Sequence, residues 1–288
     1  MFYGIEFPAA GECGAPRTLA EFARLAEEVG WDGVFLEDYA FYHNDTYRSV
    51  PGAPTYDPWV ALAAMAARTE RVRLGTAITP LPRRRPWKLA REAVSLDYLS
   101  GGRLTLGVGL GDVSDKGFTH FGEETDPKRR AGLLDEGLEI LTGLMSGSPF
   151  SYRGEHYTVE EVTFLPEPVQ RPRIPIWVGG MWPRKAPLRR AARWDGFIPY
   201  KQVEGGRQVD LTPEEVCQIR ATIERERTES APFDLVVGGD ERREDWDEER
   251  SVISSLAEAG ASWWLEWVPA AGFEEMRRAI VRGPLRAS

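Results

Sequence analysis

The amino-acid sequence predicts an α/β protein, a (β/α)8 TIM barrel with a small hairpin insertion between the fourth helix and the fifth strand. The first observation is that short apolar runs alternate with longer amphipathic runs in strict strand-then-helix order, which implies a parallel sheet with right-handed crossovers. The second is that this alternation occurs eight times. The third is the length of 288 residues, which accommodates the ~250 residues of such a barrel and one insertion. A doubly wound open sheet is the alternative, and the number of units favours the barrel.

The first half of the chain holds four predicted strand–helix units. The first helix is expected to begin at Thr18, because Glu21 completes a capping box three residues later, and to end at Gly30. Asp57 followed by Pro58 predicts an N-cap with proline at the first position of the second helix. The predicted strands cover 2–7, 33–36, 72–78 and 104–108, and the helices after them cover 18–29, 58–66, 88–99 and 130–145.

The second half of the chain begins with a break in this rhythm. Residues 150–165 have the pattern of a small surface hairpin, and the proline-rich segment 166–175 follows them. Thr212 and Glu215 form a second capping box around Pro213, which predicts another helix start. The remaining strands are predicted at 174–178, 196–198, 235–237 and 263–267, and the helices at 184–194, 213–228, 248–259 and 273–282. We therefore expect a single barrel domain over 1–288 with an insertion at about 147–173.

The composition argues against several classes of protein. The chain has 45 acidic and 36 basic residues and a formal net charge of −9, which argues against nucleic acid as a partner. No apolar run approaches the ~18 residues of a membrane span, and the start of the sequence lacks the basic and apolar regions of a signal peptide. Cys13 and Cys217 lie far apart and form neither a disulfide framework nor a zinc ligand set. The default expectation is a cytoplasmic location without membrane contact.

The active site of such a barrel is expected at the carboxyl ends of the strands and in the loops that follow them. Glycines occur at several of these ends, where the missing Cβ would let a flat or phosphorylated ligand approach the backbone. The other interpretation is that these glycines only turn the chain out of a strand. The candidate set is Glu6–Pro8, 37–39, 77–79, 109–112, 179–182, 199–200, 238–240 and 266–267.

Several common site motifs are absent. The run from Gly107 to Gly111 is not a dinucleotide-binding fingerprint, because Asp112 stands where the third glycine is required. The sequence has no P-loop and no nucleophile elbow of the GxSxG type. Its three histidines, at 43, 120 and 156, are scattered, so the sequence predicts no metal site and disfavours a metal-dependent barrel hydrolase.

Several stretches of the chain together resemble the bacterial luciferase-like flavin oxidoreductases. They are LGTAITPLP at 74–82, LDYLSGGRL at 96–104, GVGLGD at 107–112, PIWVGG at 175–180 and AARWDGF at 191–197. The resemblance extends over nearly the whole chain, and the LDxLSGGR-to-GVGxG run is its most specific part. It implies a (β/α)8 barrel that binds a reduced flavin, FMN or the deazaflavin F420, at the carboxyl ends of the strands.

The resemblance also implies which residues bind the cofactor. Family members often have a non-proline cis peptide after the third strand, and the matching bond is Ala77–Ile78. The turn at 109–111 matches the segment that lines the ring and ribityl chain, and the turn at 179–181 matches a phosphate-binding loop next to a helix N-terminus. The cofactor-binding residues implied in this way are Phe7, Ala77, Ile78, Thr79, Gly109, Leu110, Gly111, Gly179, Gly180, Met181 and Trp182.

Candidate catalytic residues lie after the second and fourth predicted strands. Luciferases carry a histidine pair after the second strand, and F420-dependent members commonly carry Asp-His there, whereas this chain has Asp38 and Tyr39. Asp112 matches a position that is often acidic in F420-dependent members, although a turn-capping role is the alternative. A phenol or a desolvated carboxylic acid can hold a proton. The catalytic candidates are Tyr39, Asp112, Asp38 and His43, of which His43 is the histidine nearest a strand end.

Two further features bear on ligand binding. The basic run Arg83, Arg84 and Arg85 follows the third predicted strand and is interpreted either as a solvated loop or as a partner for an acidic cofactor tail. Trp182, Trp263, Trp264 and Trp267 gather near two strand ends and suggest an aromatic substrate pocket. Within the last strand, residues 263 and 267 must share one face and 264 the other.

The predicted function is a flavin-dependent oxidoreductase of the luciferase-like monooxygenase type, which uses reduced FMN and O2 to oxidise a small organic substrate. One alternative is hydride transfer with F420, and another is a non-catalytic barrel that binds flavin. The resemblance also implies a separate flavin reductase as a partner of an FMN enzyme, and a homodimer. The loops at 40–56, 113–125 and 200–211 set the substrate and carry no recognisable code.

Overall fold

Eight parallel strands close into a barrel. The computed structural model describes residues 1–41, 53–203, 208–228, 231–238 and 241–286. The barrel strands are β1 (Phe2–Pro8), β2 (Gly33–Glu37), β3 (Arg73–Thr76), β5 (Leu104–Gly109), β8 (Ile176–Met181), β9 (Gly196–Gln202), β11 (Asp234–Gly238) and β12 (Trp263–Trp267). They pair in that order, and β12 pairs with β1 to close the ring. The predicted (β/α)8 barrel is therefore confirmed.

Among the described residues, nine α-helices accompany the strands. They are α1 (Pro16–Glu28), α2 (Pro58–Ala66), α3 (Pro86–Ser100), α4 (Lys116–Thr119), α5 (Pro127–Met145), α6 (Lys185–Ala191), α7 (Pro213–Glu226), α8 (Trp246–Glu258) and α9 (Phe273–Val281). Two predicted starts are confirmed: the Asp57 carboxylate accepts from the Val60 N–H at 3.0 Å, and Thr212 and Glu215 form a reciprocal capping box. Proline at the first position fixes φ in both helices.

Two local predictions are wrong, and one helix was not predicted. The first helix begins at Pro16 with Ala15 as its N-cap and no side-chain cap, so Thr18 is already inside the helix. Proline at the first helical position starts the helix earlier than the Thr18 pattern indicates. The predicted strand at 72–78 ends at Thr76, and a short strand β4 (Thr79–Pro80) follows. The short helix α4 (Lys116–Thr119), capped by Asp115, was not predicted.

The hairpin insertion consists of β6 (Pro149–Arg153) and β7 (Thr158–Thr163), which pair antiparallel between α5 and β8. Glu136 of α5 holds its turn, because the Glu136 carboxylate accepts the backbone N–H of Glu155 at 2.7 Å and of Tyr157 at 3.0 Å. These bonds satisfy backbone donors of the turn that the hairpin ladder leaves unpaired.

The LDxLSGGR run stabilises the fold on the side of the barrel away from the strand ends. The fully buried Asp97 accepts the Val169 N–H at 2.8 Å and so ties α3 to the segment after the hairpin. Arg103 donates to the Val72 carbonyl at 2.9 Å and to the Thr69 carbonyl at 2.8 Å. The LDxLSGGR half of the most specific part of the resemblance therefore stabilises the fold, whereas its GVGxG half leads to the mouth of the barrel.

Two apolar cores lie on the two faces of the barrel sheet. The larger one packs the outer faces of the strands against the helices. The smaller one fills the barrel interior with Phe35, Trp177, Val236, Trp263 and Leu265, and the rings of Phe35 and Trp177 stack with centroids 5.2 Å apart. The interior is a packed plug as in other eight-stranded barrels. A ligand therefore has access only to the mouth of the barrel above this plug.

Candidate active site at the barrel mouth

One wall of the barrel mouth is formed where β3, β5 and β8 end. The peptide bond between Ala77 and Ile78, directly after β3, is cis, as the sequence resemblance implies. Ile78 is half-buried and lies against Gly109 at the end of β5 and Gly179 in β8. A Cβ on Gly109 would lie 2.3 Å from Ile78 Cδ1, and one on Gly179 would lie 2.9 Å from Ile78 Cγ2. These two glycines therefore make room for Ile78, and the side chain of Ile78 covers their backbone.

The segment at 179–181 is not the turn that the sequence suggested. Gly179, Gly180 and Met181 belong to β8 and pair with residues 198–200 of β9. The strand continues because the ladder with β9 extends over these residues, whereas the ladder with β5 ends at Val178. A Cβ on Gly180 would lie 2.3 Å from Pro187, so the space beside this glycine is filled by protein. Trp182 follows the strand and donates its indole N–H to Glu215 at 3.1 Å.

Asp38 lies at the centre of a buried ionic network. Its carboxylate accepts from Arg84 Nη2 at 2.8 Å and from Thr79 Oγ1 at 2.8 Å, and it pairs with Arg83 at 3.2 Å. Arg83 also pairs with Asp115. The Arg83 side chain is 8% exposed and that of Asp38 is 2% exposed, so the solvated-loop interpretation is wrong for this arginine. The network fixes the segment after β3 against the end of β2.

Other predicted site residues have different surroundings. Phe7 is fully buried and its ring lies 6.3 Å from that of Phe22 in α1, which places it on the outer face of the barrel. Thr79 is fully buried between Asp38 and the Trp59 indole. Tyr39 lines a cavity of about 330 Å³ together with residues that include Tyr56 and Phe121. His43 lies outside the described residues.

A polar group surrounds the turn after β5. Asp112 accepts the Ser114 N–H at 2.9 Å, which is the turn-capping role. Arg130 of α5 donates to the carbonyls of Leu110 at 3.1 Å and Gly111 at 3.0 Å and so holds the turn. Burial raises the pKa of the Tyr200 phenol, and the negative charge of Asp112 adds to this effect. Tyr200 therefore keeps its proton and can donate it in a hydrogen bond near neutral pH.

The opposite wall of the mouth carries two carboxyl groups that lie within the predicted strand ends but are not among the predicted catalytic or cofactor-binding residues. Glu6 of β1 is 7% exposed, and Glu37 ends the neighbouring strand β2. Phe35 pairs with Glu6, and Glu37 pairs with Pro8. Because alternate residues of a strand share a face, Glu6 and Glu37 point into the barrel on the same side as the interior ring of Phe35.

Both carboxyl groups hold their protons more tightly than usual. Burial raises the pKa of Glu37 from about 4.5 to about 8, against a hydrogen bond from Trp267 that lowers it. Burial also raises the pKa of Glu6 well above its usual value, and the charge of Glu37 raises it further. Oε2 of Glu37 is buried and has no hydrogen-bond partner in the described part of the chain. With both pKa values raised, each of the two carboxyl groups is expected to keep its proton near neutral pH.

The tryptophans of β12 are divided between the two cores as the sequence predicted. Trp263 belongs to the barrel interior and Trp264 to the outer core. Trp267 lies at the mouth, and its interaction with Glu37 places an aromatic ring beside the carboxyl pair. The alternation confirms the strand pattern from which the two faces were predicted.

The sequence profile of the luciferase-like monooxygenase family matches residues 2–266. The chain belongs to this family. Its barrel is therefore a luciferase-like fold, with a cis bond after β3 and a half-buried Ile78 at the mouth.

One relative is named an F420-dependent glucose-6-phosphate dehydrogenase, from Microbacterium testaceum. It is 35% identical over 196 residues, which is 67% of this chain and 55% of the relative. The chain thus matches little more than half the length of this curated relative.

Two solved structures have the same fold. Monooxygenase RslO1 from Streptomyces bottropensis has a TM-score of 0.75 and 24% identity, with 97% of this chain and 96% of that chain covered. An F420-dependent secondary alcohol dehydrogenase in complex with an F420-acetone adduct has a TM-score of 0.74 and 17% identity, with 98% and 99% covered. At these identities the likeness concerns the fold of this luciferase-like chain.

Two features are absent from the described residues. None of the helices described here is long and apolar enough to cross a membrane. Within the same part of the chain, no group of three or more His, Cys, Asp or Glu side chains is placed to hold a metal ion.

The carboxyl pair predicts how the stability of this luciferase-like protein depends on pH. A group whose pKa is higher in the folded state than in the unfolded chain stabilises the fold most at low pH, and this contribution is lost as the pH rises to the folded value. For Glu37 this stabilising contribution is lost between about pH 4.5 and about pH 8. It amounts to about 1.4 kcal/mol for each unit of pKa shift. As the pH rises through this range, the urea concentration at the midpoint of unfolding is expected to fall less in Glu37→Gln than in the wild type.

The control for this prediction is Glu160→Gln, because the Glu160 side chain is 89% exposed. This variant should follow the wild-type pH dependence. Identical pH dependence of Glu37→Gln and the wild type would show that Glu37 titrates normally.

Proposed function

We propose that this protein is an oxidoreductase that transfers a hydride between a small organic substrate and a deazaflavin of the F420 type. The observation that carries the proposal is the 35% identity with an F420-dependent dehydrogenase, over 196 residues. The likeness to monooxygenase RslO1 is 24% and supports the fold. For this reason we prefer hydride transfer to the FMN-dependent monooxygenation that the sequence analysis placed first.

The residues at the mouth fit such a cofactor. A deazaflavin has a flat apolar ring, and the half-buried Ile78 offers it an apolar surface above the packed interior. F420 also carries a phosphate and an acidic tail. Arg184 and Lys185 follow β8, are exposed, and form no ion pair within the described ranges. Ile78 would support the ring, and these two cations would hold the anionic part.

The protein supplies position, a dry surface and protons. When bound, the deazaflavin supplies a ring carbon that accepts or gives a hydride. The interior plug beneath the mouth, with Phe35 and Trp177 at its centre, excludes water from below. Tyr200 can donate a hydrogen bond because its raised pKa keeps the phenol protonated. Asp38 holds Arg83 and Arg84 in place and so fixes the mouth rather than exchanging protons itself.

Equilibrium titration of the purified protein with F420, FMN and reduced FMN tests this proposal. We expect F420 to bind with a dissociation constant well below about 100 μM, which corresponds to only ~5.5 kcal/mol. Charge reversal in Arg184→Glu is expected to weaken F420 binding about tenfold, the effect of ~1.4 kcal/mol. Arg189→Glu is the matched control, because Arg189 is an exposed arginine of the same helix α6.

Two outcomes would contradict the proposal, and a third would contradict the role of Arg184. Tight binding of reduced FMN with weak binding of F420 would support the monooxygenase. Failure of all three compounds to bind below about 100 μM would support a non-catalytic barrel. Equal effects of the Arg184 and Arg189 substitutions would remove the assigned role of Arg184.

A further inference from the structure

A cavity lies between the loops that follow β2, β3 and β5, on the side of the barrel where the strands end. It measures about 330 Å³, which is within the size range of small-molecule sites. Its walls come from 38–40 and 55–58 after β2, from 83–84 after β3 and from part of 117–123 after β5. We call it the loop cavity. Thr79, the residue after Ile78, donates to Asp38 in its wall at 2.8 Å, so the loop cavity borders the part of the mouth where Ile78 lies.

The two arginines in the wall of the loop cavity are already neutralised. Arg83 pairs with Asp38 at 3.2 Å and also pairs with Asp115. Arg84 pairs with Asp38 at 2.8 Å and lies 4.0 Å from Asp57. Because each guanidinium group faces two carboxylates, an anionic ligand would meet carboxylate oxygens beside each of these cations. The arginines therefore do not make the loop cavity a phosphate site.

Glu123 brings a carboxylate without a cation to the same wall. It is half-buried and forms no ion pair within the described ranges. Its neighbour Glu124, by contrast, pairs with Arg129 at 2.9 Å and is not part of the wall. Three carboxylates and two guanidinium groups line the loop cavity. Its charged lining is therefore negative overall, and Glu123 is the carboxylate available to a ligand.

Aromatic rings form the apolar part of the lining. Tyr39 and Tyr56 are half-buried, and Phe121 is 64% exposed at the rim. The ring of Phe121 lies 5.3 Å from that of Phe41. The faces of aromatic rings attract organic cations, and the attraction grows when the cation loses water. Aromatic walls with one unneutralised carboxylate are suited to an ammonium group.

We propose that the loop cavity binds the positively charged ammonium group of a small organic substrate, with Glu123 as the ionic partner and Tyr56 and Phe121 as aromatic walls. That this ligand is the substrate rests on the proposed function, whereas the binding of the cation does not. The substrate class is then an amine or quaternary ammonium compound whose reacting carbon extends toward the ring on Ile78. A sugar phosphate, as in the name of the Microbacterium relative, is excluded by the same carboxylates.

The first test measures binding without F420. Calorimetry compares choline, its uncharged isostere 3,3-dimethylbutan-1-ol, and glucose 6-phosphate. We expect choline to bind at least about tenfold more tightly than the isostere, with an affinity that falls as salt is added. Equal affinities for choline and the isostere, or tighter binding of glucose 6-phosphate than of choline, would overturn the proposal.

Two variants place the cation in the loop cavity. Glu123→Gln is expected to weaken choline binding about tenfold, and its matched control Glu124→Gln should leave the affinity unchanged. Phe121→Leu keeps an apolar side chain but removes the ring, so it should weaken the binding of choline and spare that of the isostere. Equal losses in Glu123→Gln and Glu124→Gln would show that overall charge attracts the cation, which would overturn the proposal.

A repeat of the choline titration with saturating F420 tests whether the loop cavity is separate from the cofactor site. We expect both compounds to bind together. Displacement of choline by F420 would assign the loop cavity to the cofactor and overturn the proposal.

The role of the cation in turnover is tested with F420-loaded protein and a panel of ammonium alcohols, choline among them, each beside its uncharged isostere. In this reaction the carbinol C–H bond breaks and its hydrogen leaves with the electron pair to the deazaflavin. The O–H electron pair forms the carbonyl bond, and the hydroxyl proton passes to water. We expect loss of F420 absorbance at least about tenfold faster with the charged member of a pair. No reaction with any ammonium alcohol, or no preference within the pairs, would overturn the substrate assignment.

The two failures are distinguishable. If F420 does not bind to the wild type, the proposed function fails, and the choline titrations still decide whether the loop cavity binds a cation. If F420 binds but choline binds no better than its isostere, the cation site fails and the cofactor assignment stands.

Discussion

Replacing Gly107 with alanine is expected to lower the free energy of unfolding by more than about 3 kcal/mol, the upper range for overpacking. A Cβ at this position would lie 1.8 Å from the backbone oxygen of Thr76. Gly107 pairs with Trp177 of β8, and its own carbonyl accepts from Thr76 Oγ1 at 2.8 Å. The obstacle is backbone in the neighbouring strand, so no side-chain rotation relieves it and the ladder itself must shift.

Urea or thermal unfolding checks this prediction, with Gly272→Ala as the matched control. A Cβ on Gly272 would meet nothing within 4 Å, and its φ of −64° suits any residue. The control should change the unfolding free energy by less than about 0.5 kcal/mol. A Gly107→Ala protein as stable as the control would show that β3 and β5 are not packed as described.

Replacing Asp38 with asparagine is expected to cost about 3–5 kcal/mol, as for the loss of one partner of a buried ion pair. The change leaves the guanidinium groups of Arg83 and Arg84 facing a neutral amide, which cannot pair with both charges. The Arg83 side chain is only 8% exposed, so water does not replace the lost carboxylate. The unfolding free energy at neutral pH measures the effect. Asp247→Asn is the control, because the Asp247 side chain is 95% exposed and its pair with Arg250 is on the surface.

This substitution also separates two accounts of Asp38. If the carboxylate were a proton-transfer group, Asp38→Asn would leave stability close to that of the control and act on turnover. We expect instead that Asp38→Asn loses far more stability than the control variant. A loss below about 1 kcal/mol, typical of exposed pairs, would contradict the network.

The barrel was predictable because its elements carry local signals. Proline at the first helical position after Asp57 and Thr212 marks helix starts, and alternation in 263–267 assigns each tryptophan to a face. Boundaries failed where two local signals competed, as at Thr18, where Pro16 begins the helix first. Local periodicity also gave no sign that β3 would stop at Thr76.

The candidate site was less predictable because its contacts join distant residues. Asp38 meets Arg84, 46 positions away in the chain, and no local pattern indicates this pair. Ile78 lies against Gly109 and Gly179, so glycines that suggested an open backbone instead accommodate a side chain. The cis bond at Ala77–Ile78 was implied by the family resemblance and not by any pattern within the chain itself.

The sequence also contains a signal for the carboxyl pair. Glu6 and Glu37 both occur within strand ends that were named as candidates, and both share the face of Phe35. Acidic side chains that point into a barrel lose part of their hydration, so their position on the inner face argues for raised proton affinity. The family motif lies at Asp38 and Tyr39, so the resemblance predicts those two residues and not their neighbour Glu37.

The most direct test of the account is a crystal structure of the protein soaked with F420. We predict that the deazaflavin ring lies on Ile78, with its other face toward Glu37 and Trp267 and its anionic part beside Arg184 and Lys185. Ring density elsewhere, for example in the cavity between Tyr56 and Phe121, or a mouth that excludes F420 and takes up FMN, would contradict it.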